Sequence, residues 1–179
     1  MTEAAALVAW LGGSITLLSD GRRGLALGLA LTTAALSVFA FAAGETVAGT
    51  ALLAGGAIAA GLRLRGGPPG WGVMRPGSTP RITLTVVVGL ISLWLAAAVT
   101  TGANGSLKFA LLTTLILLVA RVLQGAEPAA STSATTGIAL AIGACALLAV
   151  QVSPAAACIV ASVVAVGLQA LPRVETDAA

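Results

Sequence analysis

Apolar residues fill this sequence in long stretches with few interruptions, and that continuity constrains the fold more than any other feature. Residues 24–44, for example, contain no charged side chain. An apolar run of about 17–25 residues can cross the hydrocarbon core of a bilayer as an α-helix, whereas spanning β-strands alternate apolar and polar residues over about ten positions. The sequence therefore predicts an all-α, polytopic integral membrane bundle that forms a single transmembrane domain over residues 1–179.

The composition favours the same fold class. The chain is 58% hydrophobic and 8% charged, while soluble domains carry roughly 25% charged residues. Its net charge of +3 is explained by membrane topology, so nucleic acid is not an expected partner. Eight of the nine basic residues are arginine, and alanine and glycine are abundant. This usage suggests a GC-rich bacterial genome and a multi-pass protein of the cell (cytoplasmic) membrane.

Seven apolar segments can be separated along the chain. The least secure division falls at Glu45, because no other charged residue interrupts residues 24–62. An unbroken helix over those 39 residues would be about 58 Å long, roughly twice the hydrocarbon thickness, so the chain must turn there. The predicted segments are 3–19, 24–44, 46–62, 80–101, 106–123, 134–152 and 154–171.

The distribution of charge tests the helix count and predicts the orientation. If seven helices alternate in direction, eight of the nine basic residues fall on one side of the membrane and only Lys108 falls on the other. Positive residues concentrate on the cytoplasmic side. We therefore expect the N-terminus outside, the C-terminus inside, and both the 63–81 loop and the 172–179 tail in the cytoplasm. Six helices would break this segregation.

Several predicted helix ends carry local signals. In Ser19-Asp20-Gly21, the glycine suits a left-handed C-terminal cap for the first helix. Thr79-Pro80 and Ser153-Pro154 each place a capping hydroxyl before a proline, which favours a helix start. The last two helices should therefore form a tight hairpin.

Small residues provide the expected means of helix packing. Close approach through glycine and alanine drives association in membranes, because lipid tails are as apolar as leucine. Residues 24–28 have GxxxG spacing, and residues 54–61 are almost entirely small. These faces suit packing within the chain or, alternatively, a homo-oligomer or partner interface. A weak resemblance between residues 24–31 and 137–144 could fit two helix triplets of the same orientation joined by a linker helix, but a sequence rich in alanine, leucine and glycine also produces such matches by chance.

The sequence contains few residues of the types that catalysis usually requires. It contains no histidine, which excludes histidine-ligated metal sites and Ser-His or Cys-His triads. No cofactor motif is present, and the six carboxylates fall at predicted helix ends or in loops. We therefore expect no enzymatic activity, no cofactor and no metal. Glu45 is the exception to consider: it suits an ordinary outer turn with a solvated carboxylate or, because the turn is short, a functional carboxylate of the outer side held at membrane depth. Cys145 and Cys158 are expected to be free thiols.

Aromatic and basic residues provide the remaining candidates for contacts. Five aromatic residues fall in the outer halves of predicted helices, where they suit an interfacial belt or, alternatively, an outward-facing pocket. Trp71 stands apart in the cytoplasmic loop, where it would meet either the membrane interface or a partner protein. The candidate contacts with a partner or with anionic lipid headgroups are Arg22, Arg23, Arg63, Arg65, Trp71, Arg75 and Arg81.

Two classes of function are consistent with these features. The first is a non-catalytic membrane subunit or scaffold that packs against other membrane proteins. The second is a component of a small-solute or lipid transporter. The first is favoured because transporters usually place an ionisable residue or a broken helix near the bilayer centre, and the sequence predicts neither.

Overall fold

A computed structural model describes residues 1–66, 69–72, 79–100, 102–125 and 127–171. Among these residues it contains seven α-helices and no β-strand, which confirms the predicted all-α bundle. A short 3₁₀ helix, Ala146–Leu148, follows the sixth α-helix. The α-helices are α1 (Thr2–Leu18), α2 (Arg22–Ala42), α3 (Thr46–Arg65), α4 (Thr79–Val99), α5 (Gly105–Leu123), α6 (Pro128–Cys145) and α7 (Pro154–Ala170).

Five of these helices are long and apolar enough to cross a membrane, namely α2 to α6 when the 3₁₀ turn is counted with α6. Helices α1 and α7 are apolar but have 17 residues each, at the lower limit for a spanning helix. The structure thus supports a membrane protein. The predicted turn at Glu45 is present, since Gly44 has a φ of 81° and Glu45 precedes the first residue of α3.

Helix α6 begins at Pro128, six residues before its predicted start at residue 134. The intervening residues include serine and threonine, which interrupt the apolar run in the sequence. Within the helix their hydroxyls donate to carbonyl oxygens one turn earlier, from Thr132 to Pro128 at 2.9 Å and from Ser133 to Ala129 at 3.0 Å. This internal bonding satisfies the hydroxyls, so the helix extends through the polar stretch.

The α6–α7 connection also differs from the expected tight hairpin. The helix gives way to the 3₁₀ turn at Ala146, and residues 149–153 then join it to α7. The predicted start of α7 is confirmed, because Pro154 is its first residue and the Ser153 hydroxyl accepts a hydrogen bond from the Ala156 N–H at 3.4 Å.

The predicted glycine cap of α1 is wrong. Ser19 ends that helix in an extended conformation, and Gly21 has a φ of −80° and a ψ of 148°, so neither residue is left-handed. Gly21 instead precedes α2 as its N-terminal cap residue. The reason for a glycine at this position is a close backbone contact rather than backbone conformation, as described below.

The helices form two triplets, α1–α2–α3 and α5–α6–α7, packed so that α1 lies beside α5, α2 beside α6 and α3 beside α7. Helices α1 and α5 run in the same direction, since Gly13 faces Leu117 while the end of α1 meets Arg121. Helix α4 packs chiefly on α5 and stands outside both triplets. The weakly similar residues 24–31 and 137–144 thus fall on the middle helices of the two triplets, α2 and α6.

Small residues bring the helix backbones together inside the bundle. A Cβ added to Gly12 in α1 would lie 2.8 Å from the Gly28 carbonyl oxygen in α2, and one added to Gly28 would lie equally close to that of Gly12. Nearby hydroxyls are bonded within their own helices, with Thr16 donating to Gly12 and Thr32 to Gly28, both at 2.9 Å. These residues therefore serve packing within the chain, as the GxxxG spacing indicated.

Candidate functional site

Five described arginines cluster at one end of the bundle. This end, here called the basic end, contains the α1–α2 turn, the last turns of α3 and α5, and the loop segment 69–72. Two of its arginines are buried and three are partly or fully exposed. The buried pair is Arg63 and Arg121; the others are Arg22, Arg23 and Arg65.

Arg121 and Asp20 form a buried ion pair between the two triplets. The Arg121 guanidinium bonds the Asp20 carboxylate and also donates to the Ser19 carbonyl oxygen at 3.3 Å and to the Gln124 side-chain oxygen at 3.2 Å. The Arg121 side chain is 1% exposed and that of Asp20 is 10% exposed. An ion pair this deeply buried requires both members, because either charge alone would remain desolvated without compensation.

Asp20 and Arg121 are absent from the site residues predicted from the sequence. Asp20 falls at the predicted end of the first helix, and Arg121 counts only among the basic residues that set the orientation. Asp20 and Arg121 do fall on the same predicted side of the membrane, each near a helix end, but that side carries four of the six carboxylates. The pairing itself could not be predicted, since the two residues lie 101 positions apart.

Arg63 occupies a different environment from the one expected. Its side chain is 0% exposed in the last turn of α3, so it does not lie on the surface that a headgroup or partner contact requires. Its position near a helix C-terminus is favourable for a cation, because the helix dipole is negative there. Arg63 is thus part of the packed interior of the basic end, while Arg65 two residues later is exposed.

The loop segment 69–72 is bound to the α1–α2 turn through main-chain atoms. The Asp20 N–H donates to the Gly72 carbonyl oxygen, and the Arg23 N–H donates to the Gly70 carbonyl oxygen, each at 3.2 Å. A Cβ on Gly21 would lie 2.7 Å from the Gly72 nitrogen, and one on Gly72 would lie 2.8 Å from the Gly21 Cα. Glycine is therefore required on both sides of this contact.

The other described candidates lie at the same end of the bundle. The Trp71 side chain is 53% exposed, although its main chain packs against Gly21 and Gly24. Arg23 and Arg65 are exposed and Arg22 is half-buried. Of the remaining candidates, Arg75 and the side chain of Arg81 lie outside the described residues, as does the 172–179 tail.

The opposite end of the bundle contains a pocket of about 320 Å³ between the starts of α1 and α5. Its lining combines the polar residues Thr2, Asn104 and Ser106 with Phe39 and Leu147. Asn104 adopts a left-handed conformation, with a φ of 61°, just before α5. The pocket lies at the interface between the two triplets. At the basic end the same interface contains the Asp20–Arg121 ion pair.

The outer aromatic residues do not gather around that pocket. Phe39 is buried and lines it, whereas Trp94 is 76% exposed on α4 and Phe41 is 41% exposed. Trp10 and Phe109 are half-buried. The arrangement resembles an interfacial belt more than a pocket of aromatic rings.

Glu45 and the two cysteines all lie at the opposite end of the bundle. Glu45 is half-buried at the α2–α3 turn, where its N–H donates to the Ala40 carbonyl oxygen at 2.9 Å. Cys145 and Cys158 are both free, as predicted, and the Cys158 thiol lies 3.5 Å from the Gly143 carbonyl oxygen. No feature of the described residues brings Glu45 together with the arginines of the basic end.

Neither chemistry nor similarity assigns an activity to these sites. Within the described ranges, no group of three or more cysteine, aspartate or glutamate residues could hold a metal ion. Comparison with protein-family models, curated proteins and solved structures finds no match. The interpretation of function therefore depends on the geometry of the bundle itself.

Proposed function

We propose that this protein is a non-catalytic subunit or scaffold that packs against other membrane proteins. The observation that carries the proposal is the position of α4. Only 17% of the apolar span Ile82–Val99 is buried, compared with 61% for α2. A spanning helix held by its own bundle along one side offers a long face to the helix of another protein.

The exposed surface of α4 combines large apolar side chains with a glycine that allows another helix to pack closely. Leu90 and Trp94 are 62% and 76% exposed, and Gly89 has no atom within 4 Å of the position that a Cβ would occupy. Small residues with open surroundings allow a second helix to approach closely in the membrane, where packing drives association. By contrast, Thr85, Ser92 and Ala96 are buried, and they mark the face of α4 that packs on the bundle.

The interior of the bundle also favours a subunit over a carrier. The seam between the triplets is filled by small and aliphatic residues, including Ala9, Leu29 and Ala141. Most hydroxyls that face the interior are bonded to their own helix, as Thr33 is to the Leu29 carbonyl oxygen at 2.9 Å. Such groups have little capacity left to bind a polar solute.

Purification from native membranes provides the first test. The tagged full-length chain, extracted in a mild detergent, should retain one or more membrane proteins in stoichiometric amounts, identified by mass spectrometry. A chain that purifies with lipid alone, under conditions that preserve known membrane complexes in the same extract, would contradict the proposal.

Crosslinking then tests the role of α4. A photoreactive amino acid at Leu90 should form a defined protein adduct in cells. The same group at Val163 of α7, which is 68% exposed, is the matched control and should give lipid adducts only. Equal protein adducts at both positions, or protein adducts at Val163 alone, would remove α4 as the contact.

A second candidate function, a small-solute transporter component, is supported by the pocket at the opposite end. Its volume of about 320 Å³ is within the range of small-ligand sites, which combine an apolar lining with a few polar groups. At the other end the Asp20–Arg121 pair joins the two triplets. This arrangement suits a solute that enters between the triplets from the pocket side only. A single metabolite retained at one per chain, and lost in a Ser106→Trp variant that remains folded, would favour this function.

We also propose the orientation and location derived from charge. The five described arginines at the basic end support a cytoplasmic basic end in a bacterial cell membrane. A C-terminal green fluorescent protein fusion should fluoresce, and a cysteine introduced at Gly44 should react with an impermeant thiol reagent added to whole cells. Labelling of Gly44→Cys only after lysis would reverse the orientation.

A further inference from the structure

The start of α2 places positive charge where a helix disfavours it. Arg22 and Arg23 are the first two residues of this 21-residue helix, and the N-terminus of a helix dipole is itself positive. The helix has no acidic residue in its first turn. The two arginines therefore interact unfavourably with the positive end of the helix, and an anion bound beside them would offset that repulsion.

The chain leaves this helix start without a side-chain cap. Gly21 is the cap residue, and no side chain bonds the first N–H groups. A serine or aspartate cannot replace it, since a Cβ at this position would lie 2.7 Å from the Gly72 nitrogen. The loop segment instead provides one main-chain acceptor, the Gly70 carbonyl oxygen, for the Arg23 N–H.

The nearest carboxylate in the sequence is already engaged elsewhere. Asp20 is buried and bonds Arg121, so its charge is compensated inside the bundle. Within the part of the chain that the structure describes, neither Arg22 nor Arg23 forms an ion pair. Asp20 thus pairs with the buried Arg121 and not with the arginines at the start of α2.

Trp71 is held beside these arginines. The hydrogen bonds of Gly70 and Gly72 to the α1–α2 turn fix the main chain on both sides of it, while its indole stays 53% exposed. Tryptophan favours the headgroup region of a bilayer, and arginine forms bidentate bonds with phosphate. The exposed Arg65 at the end of α3 adds a third cation to this end of the bundle.

We infer that Arg22, Arg23, Arg65 and Trp71 form a binding site for the phosphate headgroup of an anionic phospholipid. The arginines bond the lipid phosphate, the anion offsets the positive end of α2, and the Trp71 ring lies along the glycerol region of the same lipid. This inference is independent of the proposed subunit function, because it concerns the isolated chain in a bilayer.

Trp71 can report on the site directly. The chain has three tryptophans, so a Trp10→Phe, Trp94→Phe variant leaves Trp71 as the only fluorophore. It is placed in nanodiscs that contain phosphatidylcholine and phosphatidylglycerol in fixed proportion, and bromine is carried on the acyl chains of one lipid or of the other. Brominated phosphatidylglycerol should quench Trp71 more strongly than brominated phosphatidylcholine at equal mole fraction.

Substitution of the arginines tests whether the preference for phosphatidylglycerol depends on their charge. Arg22→Gln and Arg23→Gln should each reduce the relative occupancy of phosphatidylglycerol by roughly fivefold, and the double variant should abolish the preference. Lys108→Gln, at the opposite end of the bundle, is the matched control and should leave it unchanged. If the single-tryptophan variant does not fold, the difference between the unmodified chain and Trp71→Phe gives the same signal.

Three results would overturn the inference. Equal quenching by the two brominated lipids would show that Trp71 has no anionic neighbour. Absence of quenching by either lipid would place the ring away from the bilayer, as a protein-docking residue would be. Loss of the preference on addition of excess inorganic phosphate would assign the site to a free anion rather than to a lipid.

Discussion

At the basic end, a buried ion pair and two main-chain hydrogen bonds join segments that are distant in the sequence, whereas at the opposite end short turns border an open pocket. The same apolar helices run from one end to the other. The basic end is thus specified by particular residues, of which Asp20, Arg121, Gly21 and Gly72 are the least replaceable. The contacts that depend on particular residues therefore lie at one end of the bundle, and the pocket between α1 and α5 lies at the other.

The largest expected effect follows from breaking the ion pair. Asp20→Leu leaves the Arg121 guanidinium buried without its carboxylate, which should lower the free energy of unfolding by about 3–5 kcal/mol. Thermal unfolding in detergent, followed by size-exclusion chromatography, measures the loss. The double variant Asp20→Leu, Arg121→Leu should regain much of the stability, since it removes both charges; a double variant less stable than Asp20→Leu would contradict the pairing.

A smaller effect should come from the glycine contact at the basic end. Gly72→Ala and Gly44→Ala both place a side chain at a positive φ, 60° and 81° respectively, which costs about 1–2 kcal/mol. Only Gly72→Ala also collides with the Gly21 backbone, because nothing lies near Gly44. Overpacking of this kind should add about 1–3 kcal/mol.

Hydrogen exchange distinguishes these two glycine variants at the site itself. In Gly72→Ala, the Asp20 and Arg23 N–H groups should exchange faster, because the loop segment 69–72 no longer accepts their hydrogen bonds. In Gly44→Ala, exchange over residues 19–24 should match that of the unmodified chain. Equal protection in the two variants would mean that the contact is not required.

The cap of α7 should contribute less. Ser153→Ala removes the acceptor for the Ala156 N–H, a bond of 3.4 Å, and should lower the free energy of unfolding by about 0.5–1 kcal/mol. Ser153→Asp preserves a capping acceptor and should remain close to the unmodified chain in the same thermal assay. A loss as large as that of Asp20→Leu would remove the contrast between the two ends.

Glu45 should give the smallest effect. Its half-buried side chain lies at the opposite end, and Glu45→Gln should change the free energy of unfolding by no more than about 0.5 kcal/mol. Abundance in cells and thermal unfolding both measure it. A transport or growth defect at unchanged abundance would instead make Glu45 a functional carboxylate of that end.

The helices could be predicted from the sequence because each depends on a local apolar run. The turn at Glu45 and the start of α7 at Pro154 were found in this way. The start of α6 was missed, since hydroxyls such as that of Ser133 look polar in the sequence and are satisfied by the helix itself, here at 3.0 Å from the Ala129 carbonyl oxygen.

The basic end could be predicted only in part. Charge segregation placed its arginines on one side, but it could not separate buried Arg63 from exposed Arg65, which depends on which face of α3 meets the bundle. The sequence suggested that Gly21 is needed for a left-handed cap. In the structure a glycine is needed there because the loop segment 69–72, about fifty residues later, lies against it. Long-range contacts of this kind leave no local pattern in the sequence.

The distance between Asp20 and Arg121 along the chain also sets an order of assembly. Their 101 residues take roughly 5–20 s to synthesise at ordinary rates of translation. During that interval Arg121 has not yet been made, so the Asp20–Arg121 pair can form only late in biosynthesis, after the whole of α4 has been synthesised.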